Sequence, residues 1–263
     1  MNFRFSFFFF LIAASMVLHW GASPSFAEEK TFAWNAKTDV PLLVLGTGVS
    51  LWGSLRYADM EPRRDLPDKS ELLPWDRPFA GNKNKVADRI SDWMSLGILL
   101  PFAWEGYNWA TDKSDAGEVC VFLLSAVEIG LWTSGINLLL RSSRLWPRPE
   151  LYASGADLER GEAWGSFYSG HTSAAFALAV FSGMWYDAKN PNSPYAPLVW
   201  SVSLSAAASV GVLRIWAGKH YPTDVLAGAL VGSLGSFAVL RLHRSSRVSL
   251  VALPGYLGAS VRF

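Results

Sequence analysis

Apolar residues in this chain gather into long runs separated by short polar breaks, a pattern that predicts helices rather than strands. Six runs stand out, at residues 40–55, 90–104, 119–140, 172–186, 195–216 and 225–240. The third and fifth reach the ~20 residues that cross a bilayer unaided, whereas the others need flanking residues or local thinning. Small residues recur in the last three runs, among them Ser203, Ser205, Ala206, Ala207, Ala208 and Ser209, which lets helices approach closely. The expected fold class is all-α: a six-helix transmembrane bundle with its polar groups at helix ends. In residues 248–263 the pattern changes, because VSLVAL and YLGASVRF flank Pro254-Gly255 and read as a short C-terminal β-hairpin.

The polar breaks differ in kind. Near the N-terminus, Asn2 and Arg4 precede an apolar stretch at 7–14, and Ser25-Phe26-Ala27 precedes Glu28-Glu29-Lys30. This is the layout of a signal peptide cut after Ala27 or of an uncleaved anchor, so residues 1–27 direct the chain into the export route. Residues 28–247 then form the helical domain and 248–263 a tail. Residues 56–89 carry eight basic and seven acidic side chains with four prolines, which predicts a solvated, loop-rich excursion.

Composition narrows the function only in part. A chain of 263 residues that is 51% hydrophobic and 17% charged fits either an apolar soluble domain or a mild polytopic membrane protein. A net charge of +1 provides no field to draw in nucleic acid, so no nucleic-acid partner is expected. The single cysteine, Cys120, allows neither an intramolecular disulfide nor a cysteine-rich metal site. The 13 tryptophans lie mostly near helix ends, which suits an interfacial belt and core packing equally. Glu128 falls inside the third run, where an ionisable group should face the bundle interior and find a partner.

Three polar clusters sit at the ends of the last four runs: RSSRLWPRPE, SFYSGHTSAAFA and RIWAGKHYPTDVLAG. They supply Arg141, Arg148, Ser169, Gly170, His171, Arg214, His220 and Asp224. If these helices alternate in direction, the clusters meet on one face of the bundle. Three guanidinium groups match the oxygens of a phosphate and stay charged at any working pH. Two histidines can divide the work of nucleophile and proton donor. Asp224, four residues after His220, could hold one imidazole nitrogen as N–H, or either Thr223 or Asp224 could serve only as a helix cap. Pro222 places both in a turn running into a helix that starts near Thr223 or Asp224. Ser169-Gly170 opens a helix whose unpaired N–H groups favour an anion.

At these residues the chain resembles the superfamily of type-2 phosphatidic acid phosphatases and vanadium haloperoxidases, over roughly residues 119–240. The first family motif, a lysine, six residues, then Arg-Pro, matches Arg148-Pro149, with Arg141 where the lysine usually stands. The second, Pro-Ser-Gly-His, appears as Tyr168-Ser169-Gly170-His171, and the third has Leu213-Arg214, His220 and Asp224, with leucine for serine. The resemblance implies that His220 is a nucleophile forming a phosphohistidine, Asp224 its orienting partner and His171 the general acid. It implies that Arg141, Arg148, Arg214, Ser169 and Gly170 bind phosphate, with no metal and no cofactor.

The function this implies is metal-independent hydrolysis of a lipid phosphate or diphosphate, phosphatidate-like or isoprenyl diphosphate-like, by a membrane enzyme. Transfer of a phosphoryl or head group to a lipid acceptor is an alternative, as is an inactive membrane protein that retains an anion site. Haloperoxidase chemistry needs bound vanadate and is at odds with the shorter, apolar chain. The expected location is a bacterial-type envelope membrane with the pocket on the exported, periplasmic side, although six full spans after an exported N-terminus would put it on the other.

Overall fold

The computed structural model describes residues 31–63, 65–244, 248–253 and 256–261. The expected signal peptide or anchor at 1–27 lies outside them. Among the described residues the α-helices are α1 (Ala36–Ala58), α2 (Lys85–Met94), α3 (Leu99–Ala110), α4 (Ala116–Ser142), α5 (Gly170–Lys189), α6 (Ala196–Trp216) and α7 (Pro222–His243). All six apolar runs are helical, and the run at 90–104 is shared between α2 and α3. A 3₁₀ turn, Ser95–Ile98, divides them where the Ser95 hydroxyl bonds back to Ser91 O at 2.9 Å and Gly97 weakens the helix. Strands β1 (Val248–Leu253) and β2 (Tyr256–Val261) pair antiparallel, Val248 opposite Val261 and Leu253 opposite Tyr256, as the tail pattern predicts.

Local signals start the helices. Asp115 accepts from Glu118 N at 2.8 Å while Glu118 accepts from Asp115 N at 3.2 Å, a reciprocal box that opens α4. Asn84 caps α2 by accepting from Val86 N and Ala87 N. Pro222 takes the first position of α7, one or two residues earlier than the pattern predicts, because its fixed φ already suits a helix.

Helix α5 lies between α6 and α7, and α1 runs along α4. The α5–α7 contact is very close: a Cβ on Gly232 would fall 2.0 Å from Ser173 O, and one on Gly228 2.5 Å from Ser169 O. Only glycine lets these backbones meet, and Ser236 Oγ adds a bond to Ala177 O at 2.6 Å on the same seam. Around it Phe122, Phe181, Trp185 and Leu240 form an aromatic-rich core. Phe122 meets Trp185 edge-on at 5.1 Å.

The opposite face of α7 presents Leu226, Leu230, Leu234 and Phe237 outward, a stripe at helical spacing, and α1 and α6 expose comparable rows. Helices α4, α6 and α7 are long and apolar enough to cross a membrane. An apolar exterior around a bundle with polar ends is that of a membrane protein. The tryptophans divide between the two roles the sequence left open, Trp93, Trp104, Trp109 and Trp216 being exposed and Trp164 and Trp185 buried.

The 56–89 segment is mostly exposed, but it docks on the α6–α7 turn instead of hanging free. Asn82 Nδ2 donates to Ile215 O at 3.2 Å, Trp75 Nε1 donates to Thr223 Oγ1 at 2.8 Å, and buried Asp76 accepts from Thr223 N at 3.1 Å. Gly218, at φ +72°, turns the chain tightly enough to admit Asn82 O, which a Cβ there would meet at 1.7 Å.

Candidate active site

The ends of α4, α5, α6 and α7 that carry the three polar clusters converge, as alternating helix directions require. Asp92 shows this directly: its Oδ1 lies 3.2 Å from His171 Nε2 and 3.3 Å from Arg214 Nη1, so these side chains from α5 and α6 share one partner. Lys219 Nζ spans Glu150 Oε2 at 2.8 Å and Asp88 Oδ2 at 3.4 Å, and Glu150 Oε1 stands 3.6 Å from Arg148 Nη1. Arg141 projects from the last turn of α4, where Gly165 O and Glu162 O accept from it at 3.0 and 3.3 Å and its guanidinium stacks 4.5 Å from the Tyr57 ring.

His220 is buried in the turn between α6 and α7, with Nδ1 3.6 Å from Asp224 Oδ2 and no hydrogen bond at that nitrogen. Asp224 is fully buried and held from three sides: Tyr221 N donates to Oδ2 at 2.9 Å, Trp146 Nε1 donates to Oδ1 at 3.2 Å, and the Ser166 hydroxyl donates to Oδ2. The carboxylate therefore caps the first turn of α7 and also faces the imidazole at 3.6 Å. Ser169 N donates to Asp224 O at 3.0 Å, while Ser169 Oγ meets Thr172 Oγ1 at 2.8 Å and caps α5. Tyr168, which replaces the family's proline, is buried and donates to Thr133 O at 2.7 Å, and its own carbonyl accepts from Asn137 Nδ2 at 2.6 Å. That pair pins the loop before Gly170-His171 to α4.

Electrostatics set the protonation of both histidines. Burial, followed by the charges of Arg214, Arg148 and Arg141, holds His220 well below the ordinary imidazole range. The same causes push His171 down to about 3, partly opposed by Asp88, while the 36% of its side chain left exposed softens the effect. Both rings are neutral near pH 7. A neutral imidazole with one nitrogen turned to a fixed carboxylate is a nucleophile, and three guanidinium groups around it can hold a tetrahedral oxyanion and the charge that develops on it.

Several contributors carry no motif signal. Asp88, Ser91 and Asp92 come from α2, and Arg214 Nη1 reaches them at 2.9, 3.1 and 3.3 Å. Their i, i+4 spacing shows a polar helix face, but nothing local says what it meets. Ser166 and Trp146 lie in loops, and Glu150 and Lys219 are legible only as charges next to the motifs. Asp92 touches His171 and Arg214, both candidates for holding an anion, so its charge would compete with an anion bound there. Asp92→Asn is expected to tighten the binding of inorganic phosphate by up to about fivefold, the range of a partly exposed ion pair, measured by titration calorimetry. Unchanged or weaker binding would show that the carboxylate does not compete.

The PAP2 superfamily profile matches residues 120–247, the stretch that contains all three clusters. The lipid A 1-phosphatase of Porphyromonas gingivalis is 35% identical over 83 residues, 32% of this chain and 17% of that protein. Its lipid A 4'-phosphatase is 34% identical over 101 residues, 38% of this chain and 36% of that protein. The matched stretches thus span well under half of these relatives. The crystal structure of the transmembrane PAP2-type phosphatidylglycerolphosphate phosphatase of Bacillus subtilis superposes with a TM-score of 0.44 at 18% identity, covering 90% of this chain and 93% of that one. Arg141, Arg148, His171, Arg214, His220 and Asp224 all lie inside the stretch, residues 120–247, that matches the PAP2 superfamily.

Proposed function

We propose that the protein is a membrane phosphatase that hydrolyses a lipid-borne phosphate or diphosphate through a phosphohistidine, without a metal at the reacting phosphorus. The observation that carries the reading is the buried His220 with Nδ1 3.6 Å from the fixed Asp224 carboxylate and in the field of Arg141, Arg148 and Arg214. Binding an anion needs the arginines alone; a neutral histidine held beside a carboxylate adds the means of turnover. The names of the two Porphyromonas relatives support phosphate on a lipid as the substrate class.

In this reading Arg141, Arg148, Arg214 and the Gly170 N–H hold the phosphate oxygens, and Ser169 contributes through the cap that positions Gly170. The His220 Nε2 lone pair attacks phosphorus as the phosphorus–oxygen bond to the lipid breaks, while Asp224 steadies the positive charge that builds on the ring. His171 delivers the proton that the leaving alkoxide needs. Water then attacks the phosphohistidine with His171 taking its proton, the P–N bond breaks, and inorganic phosphate leaves. We place the pocket on the exported face of the membrane, which the export-type N-terminal pattern and the family resemblance support.

The test is phosphate release by the detergent-purified protein, with no divalent metal added, from phosphatidate, lipid A, an isoprenyl diphosphate and a soluble aryl phosphate. The lipid substrates are expected to turn over faster than the aryl ester; absence of release from all four by folded protein overturns the reading. The pH profile is a further prediction. Because both histidines start neutral, the proton for the leaving group enters with the substrate monoanion. Hence kcat/KM is expected to fall about tenfold per unit above about pH 6, the second pKa of a phosphate ester. A bell centred near neutrality would place the acid on His171 before substrate arrives.

A further inference from the structure

At the other end of α7, about 28 Å along the helix from Asp224, three ionisable side chains meet in the bundle interior. His243 Nε2 lies 3.0 Å from Glu128 Oε2 on α4 and 3.2 Å from Asp39 Oδ1 on α1, and all three side chains are fully buried. The phosphatase chemistry uses none of them.

Their hydrogen bonding is incomplete in an informative way. Ser125 Oγ donates its only proton to Val121 O at 2.8 Å, so its 2.7 Å contact with His243 Nδ1 requires the ring to donate there. A ring protonated at Nδ1 alone presents a lone pair at Nε2. Neither His243 Nε2 nor either oxygen of Glu128 has a hydrogen-bond partner, although Nε2 and Glu128 Oε2 stand 3.0 Å apart. Asp39 is aligned by Asn35 N and Thr38 Oγ1, at 2.7 and 2.8 Å. Among the described residues no lysine or arginine pairs with Asp39 or Glu128, so the countercharge for two buried carboxylates must come from a proton on His243 or from a bound cation. Such an arrangement is costly unless a cation lies between them.

We infer that Asp39, Glu128 and His243 form a binding site for one divalent transition-metal ion that ties α1, α4 and α7 together. Two carboxylate oxygens and one imidazole nitrogen suit zinc, manganese or ferrous iron. Ligands about 2.1 Å from a tetrahedral ion sit roughly 3.4 Å from one another, close to the separations seen. The ion cancels both carboxylate charges, and Ser125 holds the ring in the tautomer that a ligand needs.

The experiment uses the full chain, purified in detergent without a polyhistidine tag. Elemental analysis is expected to find about one transition-metal ion per chain in wild type and none in H243Q or E128Q. Stripping wild type with dipicolinate lowers its thermal midpoint, and adding Zn²⁺ or Mn²⁺ restores it, whereas neither metal moves the variants. If the variants fail to fold, stripping and restoring wild type decides the matter alone. Wild type without bound metal and with a midpoint indifferent to both ions overturns the inference, as does equal metal content in wild type and H243Q. The readouts are metal content and melting, so either result leaves the phosphatase reading where it stands.

Discussion

Replacing His220 with alanine is expected to reduce phosphate release by at least about a thousandfold, because a phosphohistidine route has no second nucleophile to fall back on. Binding of inorganic phosphate should survive within about threefold, since the three arginines and the Gly170 turn remain in place. The backbone N–H of His220 still donates to Arg214 O at 3.3 Å, and the ring's Nδ1 gives up no hydrogen bond, so the α6–α7 turn should keep its shape. Rapid quenching with labelled substrate distinguishes this route from direct attack by water. Wild type should trap an acid-labile, base-stable phosphoenzyme that His220→Ala lacks. If the variant kept most of its turnover, the nucleophile would lie elsewhere and His220 would be one more structural histidine.

The second large effect is on the scaffold. Gly232→Leu is expected to prevent folding, and Gly232→Ala to cost about 3 kcal/mol or more, because the new Cβ would fall 2.0 Å from the Ser173 carbonyl. That carbonyl belongs to α5, so the clash cannot be relieved by turning a flexible side chain; the helices must part. Parting them also carries Ser169 and His171 away from Asp224, whose carbonyl accepts from Ser169 N at 3.0 Å. Lost stability and lost turnover should therefore appear together. Thermal melting followed by circular dichroism in detergent measures the first. Gly48→Ala is the control, because a Cβ there meets nothing within 4 Å and alanine favours the helix. Equal melting of the two alanine variants would mean that α5 and α7 are not held this closely.

The sequence by itself determined the helices and the chemistry-bearing residues. Hydrophobic runs, caps such as Asp115 and the proline opening α7 act within a few positions, so their outcome is legible before any packing is known. The same holds for Arg141, Arg148, His171, Arg214, His220 and Asp224, whose side-chain types and spacings carry the expectation of a phosphate site. Only the tertiary structure decided what surrounds them. The α2 acids that hold Arg214 are separated from it by 126 positions in the case of Asp88, and Ser166 stands 58 positions from the carboxylate it supports. Glu128 was legible as a group needing a partner, yet Asp39 and His243 were not, because they reach it from opposite ends of the chain. Electrostatic and hydrogen-bonding partners in a bundle are chosen by which helix faces meet, and that choice belongs to the packing of the whole chain.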